Sequence, residues 1–555
     1  MASPPAPAPH RTHEVENQPP PLVDLNLFET DPCLKEAAKR EGADWAEARL
    51  RDFGAEAGSA RVIELGHLAN RNLPVLRSHD RFGHRIDEVE FHPAWHELMT
   101  LGMKHELHAL PWNEPGAGAH VARTTLMFML MQAECGVGCP LSMTLAAVPA
   151  LRHQPELAAE WEPRLRATAY DPRALPAAEK TAVTLGMAMT EKQGGSDVRA
   201  NSTRAVAVGK GGPGGEHRLT GHKWFCSAPM CDGFLTLAYS AGGLSCFLVP
   251  RRLPDGSRNR VFIQRLKDKL GNRSNASSEI EYHDTWARMV GEEGRGVPTI
   301  IEMVHHTRLD VATCSAALMR QALAQAAHHA AHRSAFQRRL IDQPLMQNVL
   351  ADLALESEAT TMMVLRLARA FDEALQDPEK RPFARIATAV AKFWTSKRAP
   401  DFVFEAMECH GGNGYVEESI LPRLYREAPL SSIWEGCSNV ISLDILRAIA
   451  KQPEALEAFL DEVDLAAGGD RRLDAAVAAL RDLLGKPGEL ELQGRRLAER
   501  MALVLEGALM VRHATPEMAD AFCGSRLAGE HGATYGTLSP GLPCRTILER
   551  ACPDI

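Results

Sequence analysis

A change of texture in the middle of the chain constrains its fold more than any other feature. From about Asp31 to Ala177, apolar residues recur at helical spacing, as in HPAWHELMTLGMKHELHAL and ARTTLMFMLMQAECGV, with Pro and Gly interruptions. Between about Ala182 and Val290 the pattern shortens to β-rich runs separated by turns: RAVAVG, EHRLTG, FLTLAYS, LSCFLVP, RVFIQRL and SSEIEYH. From Val297 long amphipathic segments return, of a length that suits a helical bundle. The spacing therefore predicts an α+β chain, mostly α. Its expected divisions are a Pro-rich arm (1–30), a helical domain (31–181), an antiparallel β domain (182–292), a helical bundle (293–450) and a helical extension (451–555). The extension, broken at 485–488, reads as an appendage.

A 555-residue chain with 45% hydrophobic residues can fill several cores. Its 62 basic and 71 acidic residues give a net charge of −9, which argues against a surface coated by nucleic acid but permits a local basic patch. The 12 cysteines are scattered, with Cys135 and Cys139 lacking a second pair at zinc spacing, so they read as reduced thiols of a cytoplasmic protein. No run of about 18 apolar residues is present, and the Pro-rich start MASPPAPAPHRTHEVENQPPPL lacks an apolar signal core. It reads as a flexible or extended arm.

The most informative motif is MTEKQGGSDV. Gly194 and Gly195 allow close backbone approach, while the hydroxyls of Thr190 and Ser196 bracket the turn and suit the edge of a planar ligand. A second edge, GHKWFCS, brings Ser227 31 residues after Ser196. In SSIWEGCSN, Glu435 is open to two readings. One is an S-x-x-E capping box with Ser432. The other is a carboxylate beside Trp434 and Gly436 acting as base across a substrate from a flavin, with burial raising its pKa. HGGNGY (410–415) is either a helix C-cap or a passage for the adenosine diphosphate end of a dinucleotide. Arg333 and Phe336 are either a solvated charge beside a core ring or a diphosphate and adenine contact. His328, His329 and His332 have i, i+4 spacing but no HExxH acid, so no metal site is expected.

Taken together, MTEKQGGSD, GHKWFCS, RLKDKLGNRSNAS, TRLD, RSAF, HGGNGY and SSIWEG resemble the flavin-dependent acyl-CoA dehydrogenase superfamily, and within it the bacterial alkylation-response flavoproteins. The resemblance covers nearly the whole chain. It implies an N-terminal helical domain, a β-barrel-like middle domain, a four-helix bundle and a C-terminal helical domain in a homotetramer of paired dimers. It also implies one FAD per subunit.

Carried over by residue, the resemblance places Met187, Ala188, Met189, Thr190, Glu191, Lys192, Gln193, Gly194, Gly195 and Ser196 along the flavin. Phe225, Cys226 and Ser227 follow, with Phe225 standing for the usual tryptophan and Ser227 for the usual threonine. Ile433, Trp434, Glu435, Gly436, Cys437, Ser438, Asn439, Val440, Ile441, Ser442 and Leu443 complete that end. Glu435 takes the catalytic-base position. Arg333, Phe336 and Gln347 fall at the adenine end, across a subunit interface, with Gln337 in place of the usual glycine.

The implied function is a flavoprotein of the DNA-alkylation response that binds double-stranded DNA and retains weak acyl-CoA dehydrogenase chemistry. The alternatives are a metabolic acyl-CoA dehydrogenase and a non-catalytic DNA-shielding flavoprotein. Residues 451–555 carry 12 basic and 17 acidic residues, so a DNA face must be local, drawn from Arg447, Arg495, Arg496, Arg500 and Arg512.

Overall fold

A computed structural model gives the structure of the protein over residues 12–553; the first eleven residues of the expected arm lie outside the described residues. The N-terminal domain is helical, including α1 (Ala119–Ala133) and α2 (Gly138–Leu151), which are buried along almost their whole length. It also contains a hairpin, β1 (Val75–His79) and β2 (Arg85–Glu90), that helical periodicity did not anticipate. The run VLRSHDRFGHRIDEVE alternates at period two, and Gly83 (φ 86°) closes its turn, a pattern too short to stand out among helices.

The middle domain holds β3 (Leu185–Ala188), β4 (Arg204–Ala207), β5 (Glu216–Ser227), β6 (Gly233–Ser240), β7 (Gly243–Pro250), β8 (Val261–Leu266) and β9 (Ser277–Val290). Its strand order is β3-β6-β4-β5-β9-β7 with β8 against β9, and β7 also pairs with β6, so the sheet closes on itself as a barrel. The expected antiparallel sheet is corrected to a mixed one, because β3 and β4 run parallel to β6. Burial explains why β6 and β7 read as apolar runs: both lie almost wholly inside.

Three long helices follow: α3 (Gly296–His332), α4 (Pro344–Gln376) and α5 (Arg381–Glu408), then α6 (Ser438–Lys451). Helix α3 is buried on nearly every side because it packs against α1, α2, α4 and α5. The C-terminal region, including α7 (Pro453–Asp464) and α8 (Gly494–His513), is not an appendage. Leu497, Met501 and Leu505 of α8 lie in the same apolar core as the bundle and the N-terminal domain. A buried Glu506 on α8 accepts from the indole of Trp394 on α5 at 3.0 Å.

Candidate active site

Glu435 sits in a turn that enters α6. Ser432 Oγ donates to the Pro429 carbonyl at 3.0 Å, and α6 begins only at Ser438, so the capping-box reading is overturned. Glu435 has φ 56° and Gly436 φ 101°, a left-handed pair that suits glycine and strains the glutamate. Two cations hold this turn from below. Arg308 Nε on α3 donates to the Glu435 carbonyl at 3.0 Å, and Lys392 Nζ on α5 donates to the next carbonyl, that of Gly436. Arg308 and Arg385 also share Asp444 of α6, at 2.7 and 2.6 Å.

Glu435 Oε2 is buried without a hydrogen-bond partner, as is the indole nitrogen of Trp434. Burial pushes the Glu435 carboxyl up, against the downward pull of Arg308, Thr307 and Lys392. Lys392, buried and repelled by Arg308, is itself pulled down to about 7. The Cys139 thiol of α2 lies beside Ser227 and Asn275, within electrostatic reach of Glu435, and burial pushes it up to about 12. Trp434, like Met187 and Met189, packs against the core of the β domain, so the turn from the bundle meets the barrel here.

The two β-domain edges expected along the flavin are joined by main chain: Trp224 N–H donates to the Thr190 carbonyl at 2.8 Å. A Cβ on Gly195 would meet Thr190 Oγ1 at 2.4 Å, so glycine is needed for the hydroxyl to sit over the turn; at Gly194 (φ 128°) the space is open. Phe225 is 50% exposed, and Ser227 Oγ stands 3.3 Å from Ser277 Oγ. An open glycine turn, a half-exposed ring and orphaned buried polar atoms together fit a planar cofactor.

Several expected contacts are turned elsewhere. Glu191 is fully buried and spent on Lys223, Ser202 and Thr203. Cys226 points into the barrel core, Ala188 is buried in β3, and Ser438, Ile441 and Ser442 of α6 are buried. At those six positions only main-chain atoms are left for a ligand. Asn439 Oδ1 accepts from Arg495 Nε of the C-terminal domain at 2.8 Å, a link that spacing could not show.

Arg333, Phe336 and Gln347 gather at the opposite end of α3. Arg333 follows the last residue of that helix, and Phe336 (φ 53°) and Gln337 (φ 64°) form the two-residue turn between β10 (Ser334–Ala335) and β11 (Arg338–Arg339). Phe336 is 93% exposed, which removes the core-ring alternative. Gln347 Nε2 donates to the Ile341 carbonyl at 3.0 Å beneath the hairpin. HGGNGY lies at the same end: the rings of His410 and His329 are 4.4 Å apart, and Gly411 (φ 58°) and Gly412 border open space. His328 and His332 bond backbone carbonyls, and no group of metal-binding side chains occurs among the described residues.

Profiles for the adaptive response protein AidB N-terminal domain, the acyl-CoA dehydrogenase middle domain and the acyl-CoA dehydrogenase C-terminal domain match residues 17–172, 186–285 and 294–450. AidB of Escherichia coli (strain K12) is 47% identical over 92% of this chain and 94% of its own length. The chain belongs to the acyl-CoA dehydrogenase family. Among other members, acyl-CoA dehydrogenase family member 11 of Caenorhabditis elegans is 31% identical over 88% of this chain and 84% of its own. The crystal structure of ACDH-11 from that organism, in complex with C11-CoA, superposes with a TM-score of 0.83 at 26% identity, covering 98% of this chain and 94% of that one. Butyryl-CoA dehydrogenase of Megasphaera elsdenii (TM-score 0.57, 21% identity, 77% of this chain and all of that one) shares the fold. An acyl-CoA dehydrogenase of this kind is an FAD-dependent oxidoreductase acting on CH–CH groups. No helix of the described residues is long and apolar enough to cross a membrane.

Sequence reasoning missed Lys392, Asp444 and Cys139. A lone lysine inside the apolar run RIATAVAKFW was the available signal for the first.

Proposed function

We propose that this protein is an acyl-thioester dehydrogenase-type flavoprotein in which Glu435 is the base. The observation that carries the reading is Glu435 Oε2, buried without a hydrogen-bond partner on a turn fixed by Arg308 and Lys392, with the Cys139 thiol beside both this carboxyl and Ser227 of the barrel edge. Bound FAD, held along Thr190, Ser196, Phe225 and Ser227, supplies the hydride acceptor. Glu435 takes the α-proton of an acyl thioester as the β-hydride leaves from the other side, forming the α,β double bond. Trp434 and the thiol of Cys139 line the space and exclude water. The C11-CoA bound by the C. elegans relative supports acyl-CoA as the substrate class. Anaerobic addition of acyl-CoAs to the purified flavoprotein tests this: reduction of the flavin supports it, and an unchanged spectrum with every chain length removes the dehydrogenase role.

The adenine end of each FAD is held by Arg333, Phe336 and Gln347 of a neighbouring subunit, a reading supported by their place at the end of α3 remote from Arg308 and the Glu435 turn, and the tetramer of paired dimers that the family resemblance implies would supply such an interface. A second reading, in which the protein also binds double-stranded DNA during an alkylation response, draws on the AidB relationship and on a rim of arginines. Arg447 on α6 and Arg495, Arg496 and Arg500 on α8 belong to two packed helices bordering the Glu435 turn. Arg512 stands at the far end of α8, about 25 Å from Arg495, and pairs with Glu462, so it is left out of this patch.

A further inference from the structure

We infer that residues 17–25 form a strap that positions Arg333 for the diphosphate of FAD, with Asn17 as its key residue. The inference deepens the adenine-end reading above and rests on it. Asn17 makes three bonds to the hairpin after α3. Its Nδ2 donates to the Ser334 carbonyl at 2.8 Å, its Oδ1 accepts from the Ser334 N–H at 2.7 Å, and its carbonyl accepts from Arg333 Nη1 at 2.5 Å. The side-chain amide thus copies a strand partner, and the backbone carbonyl fixes one arm of the guanidinium while its other N–H groups remain for an anion.

Neighbouring bonds extend the contact to the other segment expected at that end. Asn413 Nδ2 of HGGNGY donates to Gln18 Oε1 at 3.4 Å, and His328 on α3 bonds the Pro20 carbonyl at 2.8 Å. Beyond the three prolines 19–21, the segment is anchored on the N-terminal domain: Ala60 N–H donates to Asp24 Oδ1 at 2.8 Å, and Leu25 N–H donates to the Gly58 carbonyl at 3.3 Å. Consecutive prolines keep φ near −65° and act as a stiff spacer. Asn17 is therefore held at a set distance from a fixed anchor, and asparagine tolerates its φ of 56°.

Asn17→Gly is the informative variant, since it keeps the left-handed backbone and removes only the side-chain bonds. Titration of FAD into deflavinated protein, followed by flavin fluorescence, reads affinity independently of turnover. The expected results are about a tenfold weaker FAD dissociation constant for Asn17→Gly, an unchanged melting temperature of the FAD-free protein, and partial rescue by Asn17→Asp, which retains the Oδ1 acceptor. The double variant Asn17→Gly/Arg333→Ala should be no weaker than Arg333→Ala alone, because both act through one guanidinium. Wild-type affinity in Asn17→Gly with weak binding in Arg333→Ala overturns the strap, as do additive losses. Wild-type affinity in Arg333→Ala overturns the adenine-end reading itself.

Discussion

Arg308 lies within α3 and Arg333 directly follows its last residue, about 37 Å further on at 1.5 Å per residue. The first holds the carbonyl of Glu435 and the second is bonded to the N-terminal strap, a separation that supports the proposal that each FAD is shared between two chains. Co-expression tests this. Arg333→Ala and Glu435→Gln chains, each inactive alone, should regain flavin reduction when mixed in one oligomer, because one interface then pairs a native Glu435 with a native Arg333. No recovery in isolated mixed oligomers would mean that both residues serve the same chain's FAD.

Removing the Glu435 carboxylate should stabilise the FAD-free protein. Burial raises the folded pKa of Glu435, so its neutral form contributes stability that is fully present below the unfolded value of about 4.3 and is lost as pH rises through the folded pKa. Glutamine does not titrate. The melting temperature of Glu435→Gln should match wild type near pH 4, exceed it increasingly as pH rises to the folded pKa, and keep a level advantage above it; a constant difference across pH would place the carboxyl in water.

Lys392→Met should move the pH dependence of flavin reduction. Lys392, down to about 7, is charged chiefly below that pH, and there it lowers the Glu435 carboxyl. Without it the carboxyl titrates higher, so the rise in rate shifts to higher pH while the limiting rate is kept. Lys392→Arg, which retains a cation, should restore the wild-type midpoint. Equal profiles for all three proteins would reduce Lys392 to a backbone support.

How far the chain was legible depended on whether the governing pattern was local. Helical spacing in 296–332 and alternation in 216–227 reported their own burial, so the helical domains, the barrel strands and the turns at Gly194 and Gly411 could be read directly. Glu435 was legible as a position but not as a geometry. Its capping-box spacing is a true local signal that loses to Arg308 and Lys392, which lie 127 residues before Glu435 and 44 before Gly436 and grip the turn through those two carbonyls. The Arg495–Asn439 bond and the Asn17 strap are tertiary pairings between polar residues, which carry no periodic signature.

Duplex DNA should bind through the rim without sequence preference, since the arginines there belong to no base-reading motif. Arg447 lies 3.9 Å from Asp444, but that carboxylate is already held by Arg308 and Arg385, leaving Arg447 mostly exposed. Affinity for a random duplex should fall steeply between about 50 and 200 mM salt, and Arg447→Glu should weaken it at every concentration. Arg512→Glu, at the far end of α8, should not. Equal binding by wild type and Arg447→Glu would remove the patch.

The central claim is that Glu435 is the proton acceptor in an acyl-thioester dehydrogenation, and anaerobic stopped-flow flavin reduction with a series of acyl-CoAs measures it most directly. With the best substrate, Glu435→Gln should retain FAD and acyl-CoA affinity but reduce its flavin at least about 10²-fold more slowly than wild type. Equal reduction rates in the two proteins would contradict the account and assign the proton to another group.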